Sequence, residues 1–253
     1  NIATEILSKE NWFEHWFDTS FYHKLYANRD EEEAKAFVDE LILYLQPGSN
    51  ACMLDLGCGN GRHSKHLAAK GFYVIGIDLA ASSIREAKKF RQHSLHFYTQ
   101  DMRERFGTNV FDYIFNFFTS FGYFKDAEDD NKVIENMSTA LKPGGTLVMD
   151  YINTKYAAEN LKASGEKEID GIVYSITRWC DETHFYKKIV IEETLFGKPL
   201  EYVEQVKKFS VSDFECMFKQ HQLQLKKVFG DYSLNEYDEN ESPRMILIAE
   251  KCK

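Results

Sequence analysis

Three glycines spaced two apart close the run Asp55-Leu56-Gly57-Cys58-Gly59-Asn60-Gly61. Glycine removes a side chain where backbone must turn tightly or approach a ligand closely. The apolar run Cys52–Leu56 before the loop reads as a short strand, and residues 62–70 after it read as a helix. The free N–H groups at the start of such a helix, set at the carboxyl edge of a sheet, suit a nucleotide-like ligand.

Two ligand classes compete for this loop. The dinucleotide fingerprint G-x-G-x-x-G, counted from Gly57 and Gly59, needs a third glycine at 62, where Arg62 stands; the third glycine is Gly61. An acid, Asp55, also precedes the loop. A carboxylate there suits a ligand with a free ammonium group and repels a pyrophosphate. Both features favour S-adenosylmethionine over NAD.

The elements that position the loop alternate. Residues 30–45 read as a helix, capped by Asp30, with Glu31, Glu32 and Glu33 in its first turn and Phe37, Leu41 and Leu45 on one face. Strands follow at 52–56, 73–77, 95–98, 111–115 and 146–151, with helices at 62–70, 82–92 and 127–141 between them. Strict alternation with right-handed crossovers predicts a doubly wound, mostly parallel sheet. The pattern changes after residue 152: segments at 172–180, 185–195 and 200–209 read as three antiparallel strands. A helix at 213–221, capped by Ser212, and strands at 223–229 and 245–250 close the chain. The expected organisation is one domain over 1–253. It has an aromatic N-terminal arm at 1–28, a cofactor-binding core at 30–152, a β insertion at 153–210 and closing elements at 211–253.

At this point the chain resembles the Rossmann-like, class I methyltransferases that use S-adenosylmethionine. The loop Asp55–Gly61 matches the family's first motif. Asp78 ends the second strand, 21 positions after Gly57; Asp101-Met102 follows the third; Lys142-Pro143-Gly144-Gly145-Thr146-Leu147 leads into the fifth. The resemblance covers about residues 35–152 and the terminal helix and strands, not the insertion. It implies an α/β fold with seven strands in the order 3-2-1-4-5-7-6, the last antiparallel. It also implies that Asp55, Gly57, Cys58, Gly59 and Gly61 hold the methionine end of the cofactor. Asp78 would meet the ribose, Asp101 and Met102 the adenine, and Phe117 or its neighbours the adenosine or the methyl group; Leu79 and Tyr22 are further candidates to line the cofactor site.

Other features narrow the partner. A net charge of -9 argues against a nucleic acid, whose phosphates call for a basic face. Asn116-Phe117-Phe118-Thr119 lacks the prolines that relatives acting on nucleobase amines carry after the fourth strand. No apolar stretch reaches the roughly 18 residues of a membrane span, and Asn1–Glu5 has no leader-like pattern. Five cysteines without a CxxC pair point to reduced thiols and a cytoplasmic setting. His63 and His66 lack further ligands, so no metal is expected. Arg178, His184, Tyr186 and Arg244 are candidates to face a substrate, and Trp16, Tyr22 and Tyr26 to close the pocket.

The expected function is methyl transfer from S-adenosylmethionine to a small-molecule N, O or C nucleophile, with arm and insertion as lid. The alternatives are protein methylation, a non-catalytic cofactor-binding module and an NAD-dependent oxidoreductase. The catalytic base and the oligomeric state are not legible.

Overall fold

The computed structural model describes residues 12–27, 31–192 and 197–253. Asp30, the expected cap of the first long helix, and Leu195 lie outside them. The arm forms two short helices, α1 (Trp12–Trp16) and α2 (Ser20–Leu25), and α3 spans Glu31–Leu45. The core then runs β1 (Cys52–Leu56), α4 (Arg62–Ala69), β2 (Tyr73–Asp78), α5 (Ala81–Ala87), β3 (Leu95–Thr99), β4 (Phe111–Asn116), α6 (Ala127–Ala140) and β5 (Leu141–Ile152). The expected helix over 82–92 ends at Ala87 and tightens into a 3-10 turn over Lys88–Phe90.

The main sheet has the order β10-β11-β5-β4-β1-β2-β3, where β10 is Leu223–Phe229 and β11 is Arg244–Lys251. The first five strands pair in parallel, and β11 pairs antiparallel with both β5 and β10. This is the expected seven-stranded order. Its physical basis is the period-2 alternation of apolar residues buried on both faces. Along β11, Met245, Leu247 and Ala249 join one core with α6, while Ile246 and Ile248 join another with α3, α4 and α5.

The insertion differs from expectation. It contains a helix, α7 (Thr154–Glu159), and four antiparallel strands, not three: β6 (Ser164–Ile169), β7 (Ile172–Cys180), β8 (His184–Ile191) and β9 (Leu200–Lys207). Helix α8 (Val211–Gln220) is capped by Ser210 and not by Ser212. Ser210 and Asp213 form a reciprocal capping box, which satisfies two end N–H groups at once and outcompetes the later serine.

A third core joins the arm to the insertion. Trp16 and Leu25 pack with Tyr174, Ile176, Ile189 and Ile191, and the Trp16 ring stacks on Tyr202 at 4.3 Å. Trp16 Nε1 and Tyr26 Oη both donate to Glu204 Oε1 at 2.8 Å. Arm and insertion therefore form one body over the sheet edge. Among the described residues no helix is long and apolar enough to cross a membrane.

Candidate active site

A cavity of about 490 Å³ opens at the carboxyl edge of β1, β2, β3 and β4, beneath the arm. Its floor is the glycine loop. The N–H groups of Gly57 and Cys58 converge on the Ile77 carbonyl at 2.8 and 3.0 Å, which ties the loop to the end of β2. The Asp78 carboxylate accepts from Gly59 N at 2.8 Å and from Ala80 N at 2.9 Å. Burial raises the Asp78 carboxyl above the ordinary range, against the pull of those two N–H groups. Burial also pushes the Cys58 thiol well up, with Asp55 and Asp78 adding to it. Cys58 is thus a neutral wall group.

The three loop glycines serve different ends. A Cβ on Gly57 would lie 2.7 Å from Ser120 Cβ, so the loop and the segment after β4 touch there. A Cβ on Gly61 would meet the Phe97 ring at 2.8 and 2.9 Å, so this glycine lets α4 settle on β3. A Cβ on Gly59 would meet nothing within 4 Å. Of the three, only Gly59, which lines the cavity, leaves open space where a Cβ would stand.

Asp55 lies one layer behind the wall. It is 1% exposed and accepts from Ser64 Oγ at 2.5 Å, while its Oδ1 has no partner. Asn116, at the end of neighbouring β4, donates to the Leu56 and Ser120 carbonyls and leaves its Oδ1 unpartnered too. Buried oxygens without donors are costly. Two of them on adjacent strand ends behind the loop make that end of the cavity favourable to positive charge, which suits the ammonium of S-adenosylmethionine through the field and not through a direct bond.

Of the eleven residues assigned to the cofactor from sequence, nine line the cavity: Gly57, Cys58, Gly59, Asp78, Leu79, Asp101, Met102, Phe117 and Tyr22. Asp55 and Gly61 do not. Asp101 is also engaged elsewhere, since Arg103 grips both of its oxygens at 2.7–3.1 Å. Burial alone would raise that carboxyl, but Arg103 holds it below the ordinary range. Arg103 itself lies over the Phe124 ring at 4.7 Å and reaches Glu14 and Asp129 at 3.3 Å. Sequence inspection passed over it, although its spacing of two from Asp101 is a local signal.

The aromatic roof comes from the arm and the segment after β4. Phe17 meets both Tyr22 and Tyr123, and Phe13 meets Phe124 edge-on at 5.4 Å. Phe117 is 2% exposed and stacks on His63 at 4.1 Å. His23, also passed over, hydrogen-bonds Ser82 Oγ at 2.7 Å, which latches α2 to the segment after Asp78. Burial lowers its pKa, against the charges of Asp18, Asp78 and Glu86.

Several candidates fall elsewhere. Tyr186 and His184 bond around the Asp181 turn, and neither they nor Arg178 line the cavity. Arg244 pairs with buried Asp150, an internal carboxylate and not a substrate. His66 pairs with Glu31 at 3.2 Å. Among the described residues no His, Cys, Asp or Glu cluster could hold a metal ion.

The segment after β4 has an unusual backbone. Phe118 and Thr119 both take positive φ, 56° and 53°. Each such non-glycine residue costs about 1–3 kcal/mol and persists only where the surroundings enforce it.

Comparison with known proteins agrees with this geometry. Residues 47–212 match the methyltransferase domain family. YqeM of Bacillus subtilis (strain 168), named as a methyltransferase, is 30% identical over 211 residues, which are 79% of this chain and 84% of that protein. A dTDP-3-amino-3,4,6-trideoxy-alpha-D-glucopyranose N,N-dimethyltransferase of Streptomyces venezuelae is 27% identical over 131 residues, spanning 51% of this chain and about half (54%) of that one. An S-adenosylmethionine-dependent methyltransferase from Clostridium acetobutylicum superposes with a TM-score of 0.74 at 22% identity, covering 96% of this chain and 99% of the other. CalS10, an amino pentose methyltransferase from Micromonospora echinaspora solved with S-adenosylmethionine bound, superposes at 0.66 and 18% identity, covering 92% and 97%. The glycine loop braced by Asp78, the seven-stranded order and the match over most of the chain lead to one conclusion: the chain belongs to the Rossmann-like, S-adenosylmethionine-dependent methyltransferases.

Proposed function

We propose that the protein transfers the methyl group of S-adenosylmethionine to a small-molecule nitrogen, oxygen or carbon nucleophile. The observation that carries this is the roofed cavity. Tyr22, Phe17, Tyr123 and Phe124 line the space above the glycine loop, so an acceptor reaches the loop between aromatic faces, which suits a small molecule better than an extended chain. The relatives named for amino sugars support the same class of acceptor.

When bound, the cofactor supplies a methyl group already activated by a sulfonium leaving group. The residues of this chain bind and orient. Asp78, which accepts from Gly59 and Ala80, would offer its remaining acceptor capacity to the ribose hydroxyls. Met102 and Leu79 give apolar walls to the adenine. The aromatic faces of Phe117, Tyr22 and Tyr123 exclude water and tolerate positive charge. Alignment of acceptor and methyl group in such a cavity recovers about 7–11 kcal/mol of the barrier.

The test has two stages. Titration calorimetry with S-adenosylmethionine, S-adenosylhomocysteine and NAD(H) should show binding of the two sulfur nucleosides only. A turnover screen should then compare amino sugars, other amines and phenols with basic proteins. Turnover of basic proteins alone would overturn the small-molecule assignment.

A further inference from the structure

Asp150, near the end of β5, is 1% exposed yet receives four donors. Phe118 N donates to its Oδ2 at 2.7 Å and Tyr232 Oη at 2.9 Å; Arg244 Nε and Nη2 reach its Oδ1 at 2.8 and 2.7 Å. Its backbone carbonyl accepts from Thr119 N at 2.8 Å. Arg244 Nη2 also donates to Thr119 Oγ1 at 2.8 Å, and the Thr119 carbonyl accepts from Tyr123 Oη. The chain of bonds thus runs from the sheet, through the positive-φ pair Phe118–Thr119, to a tyrosine of the cavity roof.

Sheet cohesion does not need these charges. β5 and β11 already pair over seven positions, from Arg244↔Ile152 to Glu250↔Thr146. A buried ion pair is often replaced by apolar residues with no loss of stability. What apolar residues cannot do is receive the Phe118 N–H and hold Thr119 in place. Phe118, Ser120 and Tyr123 line the cavity, whereas Asp150 and Arg244 do not.

We propose that Asp150 and Arg244 are positioning residues that hold the loop after β4 in its strained shape, and so set acceptor turnover rather than cofactor affinity. The turnover half of this rests on the small-molecule assignment above; the loop half does not. A lone buried charge can unfold the sheet, so the decisive variant is the double replacement Asp150→Leu with Arg244→Met, which removes both charges and the acceptor of the Phe118 N–H. Arg244→Lys serves as the conservative comparison. Hydrogen–deuterium exchange with saturating S-adenosylhomocysteine should accelerate about tenfold or more over residues 117–124 in the double variant, while β5 and β11 stay protected. The Kd for S-adenosylhomocysteine should stay within about threefold, while kcat/KM for the acceptor found by screening falls roughly 30-fold or more. Arg244→Lys should restore part of both the protection and the turnover.

Unchanged exchange over 117–124, or equal acceleration along β5 and β11, would overturn the proposal. So would a loss of S-adenosylhomocysteine affinity as large as the loss of turnover. If the unmodified protein turned over none of the small molecules, the small-molecule assignment would fail by itself. The exchange and calorimetry arms would still decide whether this pair holds the loop.

Discussion

The Asp78 carboxylate accepts the Gly59 amide N–H at 2.8 Å, so the acid that ends β2 braces the glycine loop from across the cavity floor. One side chain thereby shapes the loop and presents an acceptor to the ligand.

Replacing it should therefore harm binding twice. Asp78→Ala removes a charge-assisted bond to the loop and the bonds offered to the ribose, each contributing about 1.5–3 kcal/mol. The Kd for S-adenosylhomocysteine, measured by calorimetry, should rise roughly 10- to 100-fold at the least.

Two glycine substitutions should separate folding from binding. Gly61→Ala forces a side chain onto φ +83° and into Phe97. That should cost roughly 2–4 kcal/mol and lower Tm by about 6–12 °C. Gly59→Ala meets no atom in the protein. It should cost only about 1–2 kcal/mol of stability but abolish measurable cofactor binding. Thermal melts with and without S-adenosylhomocysteine read both effects.

Cofactor affinity should depend on pH through Asp55. Burial lifts this carboxyl to about 7, with the Ser64 hydrogen bond opposing and the Asp78 charge adding. The field of the ionised form favours an ammonium on the cavity side of the loop, so affinity should rise by up to roughly fivefold as pH climbs from about 6 to about 7. Without ligand the sign reverses. The raised pKa gives a stability contribution that is full below about pH 4 and lost as pH rises through about 7. Asp55→Asn should flatten both profiles; calorimetry in buffers of different ionisation enthalpy would detect the released proton.

The arm should loosen when its tie to the insertion is cut. Glu204→Ala deprives Trp16 Nε1 and Tyr26 Oη of their shared acceptor. Limited proteolysis should then cut within residues 12–27 about tenfold faster, with little change in the main sheet.

Some misses had local signals. Strand β6 is polar and exposed along most of its length, so its composition argues for a loop. Yet Asp170-Gly171, at φ 53° and 74°, is a two-residue hairpin turn that pairs Ile169 with Ile172. The Ser210–Asp213 capping box was equally visible. Other misses had none. Asp150 and Arg244 lie 94 positions apart, and His23 and Ser82 lie 59 apart.

By itself the sequence determined the doubly wound sheet, the place of the glycine loop and most of the cavity floor. Those depend on short-range periodicity, on glycines where a side chain would clash, and on an acid at a strand end. Only the tertiary structure decided that Asp55 and Gly61 stand behind the wall, that the arm packs on the insertion through Glu204, and that Asp150 grips the loop after β4. The physical reason is range. Local patterns encode which face is buried and which backbone angles are allowed, whereas contacts between residues roughly 60 to 190 positions apart form only once layers have packed.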